Sequence, residues 1–320
     1  MTTTHRLNWA ELPAHVREAV AEGLNSPVVR THPCTGGFSP GLASRLILAD
    51  GRSVFAKAIS ADRDAYAQDL NRREIQAMQR MPRAAPAPRL QWSLDDTGWV
   101  VLVMDWIPGT MPTQPWQPAD LDIVVRALAA MAEDLTPAPP GTMPITSDLA
   151  DDYSSWRRLA ATASPEADLL PDWARAHLDA LADMEAGWEQ AATGTTLAHT
   201  DLRADNVLLT RHDRQPVMIV DWAWAVAAAP WVDLVMLLSS AAVHTPDVEQ
   251  IWRSSPQARL ADDGQVNALL AAMCGDYLTQ SVRPAPPNIP GLRAHQREKG
   301  EAAWRWLTSR PGGIAAVTAS

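Results

Sequence analysis

Cysteine is nearly absent from the chain: 320 residues contain 2, Cys34 and Cys274, far apart and without a C-x-x-C pair. This leaves at most a chance disulfide and points to a reduced compartment. Basic charge is also scarce. With 27 Lys and Arg against 37 Asp and Glu, the net charge is -10 and no Lys/Arg run interrupts it. Such a surface repels nucleic acid, and its acidity is most simply explained by solubility. Long apolar runs are missing too. The stretch "WAWAVAAAPWVDLVMLLSSAAV" at 222–243 is broken by Pro230 and Asp233, short of the roughly 18 residues that a membrane span requires. It is expected to form a loop followed by a buried helix. The start, "MTTTHRLNWAELP", lacks a basic region followed by an apolar one, so no secretory signal is expected and the expected location is cytoplasmic. Phe and Tyr are few, at 2 and 3, but 14 Trp and a hydrophobic content of 47% are ample for a buried core.

At about 150 residues per domain, the length suggests two domains or lobes. The chain changes texture near residue 105. Residues 28–59 alternate short apolar runs with turn residues, and the "ADG" at 49–51 is a hairpin signal. Three antiparallel strands are expected there. "DAYAQDLNRREIQAMQR" at 64–80 lacks Gly and Pro and reads as a helix, and "WSLDDTGWVVLVMDWIPG" reads as a second hairpin that runs into a Pro-Gly break. Beyond residue 118 helical spacing dominates: 118–135, 149–161, 171–192, 264–280 and 295–310 each carry it. No internal repeat is evident. The expected architecture is α+β, with a sheet-rich N-lobe at 1–105, a hinge at about 104–109 and a larger, mostly helical C-lobe at 106–320.

The stretch "LAHTDLRADNVLL" at 197–209 crowds one His, two Asp, one Arg and one Asn between apolar runs. From His199 to Asn206 it fits H-x-D-x-x-x-x-N, the pattern of the protein-kinase catalytic loop. In that chemistry a carboxylate, here Asp201, reaches the proton of an acceptor hydroxyl. Five residues on, an amide oxygen, here Asn206, holds a metal ion at the phosphates. After a further apolar run, "VMIVDWAWA" presents Asp221 at a strand end, where a carboxylate can bind Mg²⁺ bridging nucleotide phosphates.

With "HTDLRADN" and "IVDW" in these positions, the sequence resembles the aminoglycoside phosphotransferase and choline kinase branch of the protein-kinase-like superfamily. The resemblance implies a bilobal kinase-like fold, ATP or GTP as co-substrate and Mg²⁺ as the ion. It implies a phosphate-covering loop at "TGGFSPG", with Gly36, Gly37, Phe38 and Ser39 near the phosphates, although this loop departs from G-x-G-x-x-G. Lys57 in "SVFAKAI" would touch the α/β-phosphates, and Glu74 in "NRREIQAM" would pair with it. Met104 would lie at the back of the base pocket, with the Asp105 carbonyl and the Ile107 N–H on the purine edge. Arg203 would either approach the transferred phosphate or form a structural ion pair. His199 would orient the loop, and Asp233 would cap its N–H groups. Asp205 has no assigned duty.

Only eight residues separate Asp221 from Pro230, which leaves no room for a peptide-binding activation segment. A small hydroxylated acceptor is therefore expected, held by a monomer or homodimer with no nucleic-acid or membrane partner, and the 141–175 segment could act as a lid. The acidic "SDLADDY" at 147–153 would suit an aminated acceptor such as an aminoglycoside, or simply a helix N-terminus. Trp222, Trp224 and Trp231 would form either an apolar wall for the acceptor or part of the core. A metabolic kinase for choline, a sugar or homoserine remains an alternative, as does a nucleotide-binding pseudokinase or interaction module.

Overall fold

The computed structural model describes residues 6–34, 39–162, 164–212, 215–245, 247–286, 289 and 291–314. In chain order its first elements are α1 (Ala14–Gly23), β1 (Val28–Pro33), β2 (Leu42–Leu48), β3 (Ser53–Ser60), α2 (Ala61–Arg80), β4 (Leu90–Asp96), β5 (Trp99–Asp105) and β6 (Gly109–Thr110). Helices follow: α3 (Pro118–Asp134), α4 (Ile145–Asp148), α5 (Ser155–Ala161), α6 (Asp172–Ala176), α7 (Leu178–Glu185) and α8 (Trp188–Ala192). The chain continues through β7 (Thr196–Ala198), β8 (Val207–Thr210), β9 (Val217–Ile219) and β10 (Val226–Ala228), then α9 (Val232–Ala241), α10 (Val248–Ser254), α11 (Asp263–Ser281) and α12 (Leu292–Ser309). The fold is α+β.

The chain forms two compact units. The first comprises Met1–Met111, Asp205–Ala225 and Pro286–Pro290; the second comprises Pro112–Ala204, Val226–Ala285 and Gly291–Ser320. In the first unit an antiparallel sheet runs in the order β1-β2-β3-β5-β4. Its two hairpins turn where the sequence signals them, at Gly51 (φ 89°) and at Thr97-Gly98 (φ 52° and 80°), because tight hairpin turns need residues that tolerate positive φ. Side chains of β2 alternate between buried and half-buried, whereas Val100 to Met104 of β5, an inner strand, are all buried, as expected for a strand covered on both faces. Helix α2 packs on β3 and on the short 3₁₀ turn at 222–224. A second sheet, β6-β8-β9, joins Gly109 and Thr110 to Thr210 and Leu209. This pairing is why 205–225 groups with the first unit, although the sequence division assigned it to the C-lobe.

In the second unit β7 pairs with β10, and α11 packs against α12, α7 and α8. Trp156, Trp188, Trp231, Trp252 and Trp306 are fully or almost fully buried. Gly275 of α11 admits Trp156: a Cβ there would lie 2.7 Å from the indole Nε1, which donates to the Ala271 carbonyl at 2.8 Å. The helix expected over 171–192 is three short helices, broken at His177 and Gly187. The 149–161 helix is likewise reduced to a 3₁₀ turn and α5. Residues 222–243 form the 3₁₀ turn, β10 and the buried α9. Among the described residues, no helix is long and apolar enough to cross a membrane.

Candidate functional site

Two groups of side chains, one in each unit, carry the chemistry. In the first unit Lys57 stands on β3 between Ala43 of β2 and Leu102 of β5. Its ammonium lies 2.7 Å from Glu74 Oε2, on α2, and 3.0 Å from Asp221 Oδ1. The Glu74 side chain is 1% exposed, that of Lys57 18% and that of Asp221 42%. Burial alone pulls the Lys57 pKa down, but Asp221 and Glu74 at contact distance outweigh it and hold it above the usual lysine range.

Asp221 adopts the left-handed conformation, φ 68° and ψ 62°, which disfavours a residue with a Cβ and must be held by its surroundings. Two neighbours hold it. The Val220 N–H donates to the Asn206 carbonyl at 3.0 Å, and the fully buried Trp222 donates its indole N–H to the Ile219 carbonyl at 2.9 Å. The same backbone bond joins the two segments that carry Asn206 and Asp221. Both residues line a cavity of about 400 Å³ together with Phe55, Lys57, Met104 and Trp106, a volume within the range of small-molecule sites. Among the described residues no three His, Cys, Asp or Glu side chains form a metal cage. On this cavity Asn206 offers an amide oxygen and Asp221 a carboxylate, hard donors of the kind that suit Mg²⁺.

The segment after β5 borders the same cavity. Met104 is 2% exposed, and Asp105 and Ile107 also line the cavity. Asp105 is largely committed within the sheet: its N–H donates to the Arg89 carbonyl, and its carboxylate accepts from the Arg89 N–H and the Gln91 amide. The Ile107 carbonyl accepts from the Gly109 N–H at 2.9 Å. Ser39 is exposed, and its hydroxyl accepts from the Gly41 N–H at 3.2 Å. Gly36, Gly37 and Phe38 lie outside the described residues.

In the second unit the loop after β7 is strapped from below. His199 is fully buried, and its N–H and that of Thr200 donate to the Asp233 carboxylate at 2.9–3.0 Å. Thr200 takes φ 59°, and the Asp201 N–H then donates to His199 Nδ1 at 3.2 Å. Ring Nδ1 is thus the acceptor, which leaves the proton on Nε2. Two cations approach the Asp201 carboxylate: Arg203 Nε at 3.8 Å from Oδ2 and Lys299 Nζ at 3.7 Å from Oδ1. Arg203 Nη1 also lies 3.5 Å from His295 Nε2.

The tryptophans near Asp221 divide differently from the wall suggested as one reading of the sequence. Trp222 and Trp231 are core residues at 0% and 1% exposure, and Trp224 stacks under Arg73 at 4.8 Å. Several site residues escaped the sequence reading: Trp106 and Arg6 on the cavity, and His295, Tyr277 and Lys299 around Asp201. Arg6 donates to the Cys34 carbonyl at 3.0 Å, a contact that no local motif announces.

The profile of the phosphotransferase enzyme family (APH) matches residues 36–272. No curated protein matches the chain. Among solved structures, a thermostable mutant of aminoglycoside phosphotransferase APH(4)-Ia in ternary complex with ADP and hygromycin B superposes with a TM-score of 0.61 at 15% identity, covering 91% of this chain and 99% of that one. Amicoumacin kinase in complex with AMP-PNP, Ca²⁺ and its substrate gives 0.54 at 11% identity, with coverage of 91% and 94%. Plasmodium vivax ethanolamine kinase gives 0.54 at 10%, with coverage of 89% and 83%. At these identities the structural likeness establishes the kinase-like fold, while the family match spans most of the chain. The chain therefore belongs to the APH phosphotransferase enzyme family.

Proposed function

We propose that the chain is a kinase that transfers the γ-phosphoryl group of ATP or GTP to a hydroxyl of an aminoglycoside or another hydroxylated antibiotic. The observation that carries the reading is the contact of Lys57 with both Glu74 and Asp221 on a cavity that Asn206 also lines. A pseudokinase has no need to retain a lysine, its acidic partner and both oxygen donors together. Lys57, held by Glu74, would bind the α/β-phosphates. Ile107 would offer its N–H to the purine edge, with Met104 behind the base. Asn206 and Asp221 would hold Mg²⁺, which would offset the charge of the phosphates.

Asp201 would orient the acceptor hydroxyl and take its proton as the oxygen bonds to the γ-phosphorus and the bond to the leaving nucleoside diphosphate breaks. Because phosphoryl transfer passes through a loose transition state, positioning and charge matter more than the strength of the base. Asp233 and His199 would serve that positioning by fixing the loop N–H groups. The acceptor class is supported by the hygromycin B and amicoumacin bound to the structural neighbours and by the acids Asp148, Asp151, Asp152 and Asp276 of the second unit, which lie close enough to act on one another.

The test is a thermal-shift comparison of Mg-ATP with Mg-GTP, followed by phosphate-transfer assays on aminoglycosides, other hydroxylated antibiotics, amino alcohols and sugars. Transfer confined to choline or a sugar would replace the antibiotic acceptor. Asp201→Asn and Asp221→Ala should abolish transfer while leaving circular dichroism unchanged, and an Asp201→Ala variant with full activity would remove the mechanism.

A further inference from the structure

Lys299 is a helix lysine that its surroundings do not leave in water. Its side chain is 8% exposed, although the neighbouring Arg297 and Glu298 are exposed. A buried ammonium is costly unless a partner of opposite charge compensates it, and here that partner is the Asp201 carboxylate, with the Tyr277 ring 5.1 Å from the ammonium. The approach of α12 to α11 is set by the next residue. Gly300 meets Leu278 so closely that a Cβ would stand 2.7 Å from Leu278 Cγ, so no larger residue fits without moving the helix. One turn earlier on the same helix face, His295 meets Arg203. His295 is pushed down to about 3, first by burial and then by the Lys299 and Arg203 cations, so it is neutral at working pH. Asp201, Tyr277 and Lys299 also share a cavity of about 10 Å³ with Thr200, Ser239 and Ser240.

We propose that Lys299 is a positioning residue for Asp201. Resting on the phosphotransferase reading above, the proposal assigns Lys299 and Arg203 the two opposite oxygens of the carboxylate that meets the acceptor hydroxyl. At 3.7 and 3.8 Å neither contact is a direct hydrogen bond. The cations therefore orient the carboxylate and keep it ionised without occupying, through these contacts, the lone pair that receives the proton. Among the described residues, the groups facing Asp201 include Arg203 on its own loop, Lys299 and His295 on α12, Tyr277 on α11, and Tyr153 in the 3₁₀ turn before α5. Asp276 acts on both tyrosines and Asp152 on Tyr153. Both tyrosines are held protonated by burial, so Lys299 and Arg203 are the only cations in this set.

The test compares wild type, Lys299→Met, Lys299→Arg and Asp201→Asn by two readouts. The first is a carboxylate ¹³C NMR titration of the apo protein, with the Asp201 resonance assigned as the one lost in Asp201→Asn. Loss of a cation near 4 Å should raise the Asp201 midpoint by about one pH unit in Lys299→Met, and Lys299→Arg should keep it near the wild-type value. The second is Mg-ATP turnover with water or the assay's acceptor. In Lys299→Met kcat should fall on the order of 10- to 100-fold with the Mg-ATP KM unchanged, as expected when a catalytic group is misplaced, and Lys299→Arg should recover most of it.

An unmoved Asp201 midpoint in Lys299→Met would overturn the proposal whether or not turnover is detected. So would equal kcat losses in both lysine variants with a lowered Tm, since that pattern belongs to a structural anchor. If Asp201→Asn turns over like wild type, the underlying assignment of Asp201 fails instead, independently of the titration.

Discussion

Replacing Lys57 with Met removes the cation from a carboxylate that has nowhere to go. Glu74 is 1% exposed and receives the Lys57 ammonium at 2.7 Å, so the variant leaves a buried charge uncompensated. Breaking such a pair from one side costs about 3–5 kcal/mol. Asp221 loses the same cation, but its side chain is 42% exposed, so its share should be about 0–1 kcal/mol. The expected loss at pH 8 is therefore about 3–5 kcal/mol, nearly all of it from Glu74.

The pH dependence follows from the same geometry. Burial already pushes Glu74 up, and without Lys57 nothing of comparable size opposes it. A carboxyl whose folded pKa is raised contributes stability that is present below its unfolded pKa and is lost as pH rises through the folded value. Lys57→Met should thus be closest to wild type near pH 5 and fall behind as pH rises towards 8. Lys57→Met/Glu74→Gln, which removes both charges, should recover most of the loss at pH 8, because a neutral pair carries no desolvation debt of this kind. Urea unfolding of the three proteins at pH 5 and pH 8 measures all of this. A Lys57→Met variant as stable as wild type at pH 8, or a double variant no more stable than Lys57→Met, would refute the reasoning.

Asp233→Ala leaves the His199 and Thr200 N–H groups without their acceptor and should cost about 3–6 kcal/mol, given about 1.5–3 kcal/mol for each hydrogen bond to a charged group; urea midpoints check it. Asp276 is pushed up to about 7 by burial and by the nearby Asp152, so Asp276→Asn should match wild type near pH 4 and exceed its Tm by about 2–4 °C at pH 8. A Tm gain that did not grow between those pH values would contradict that assignment.

What the sequence discloses about this molecule is what local chemistry decides. The hairpins at Gly51 and Gly98 were legible because their turns demand positive φ, and α3 because Pro118 and the apolar spacing mark its start and face. Asp201, Asn206 and Asp221 stood out through short patterns with their own chemical logic, whereas Lys57 and Glu74 were expected only through the family resemblance; the structure brings Lys57, Glu74 and Asp221 into contact. Helical spacing continued through 171–192, but the helix breaks at His177, whose ring nitrogen lies 2.7 Å from the Trp173 carbonyl while Trp173 stacks on Trp304 of α12. A contact more than a hundred residues away in sequence leaves no trace in a local window. For the same reason Lys299 read as an ordinary charged position on a helix: only the approach of α12 to α11 at Gly300 brings it to Asp201. Arg6 and Trp106 reach the cavity beside Lys57 in the same way, through packing that no motif encodes.

The most direct measurement is phosphate transfer from γ-labelled Mg-ATP and Mg-GTP to a panel of aminoglycosides and other hydroxylated antibiotics, with the phosphorylated acceptor identified by mass spectrometry for wild type and Asp201→Asn. Wild type should yield a phosphorylated acceptor with at least one nucleotide, and Asp201→Asn, folded and still binding that nucleotide, should yield none. A folded wild type that binds Mg-nucleotide yet phosphorylates none of these acceptors, or an Asp201→Asn variant that phosphorylates them as fast as wild type, would contradict the proposed function.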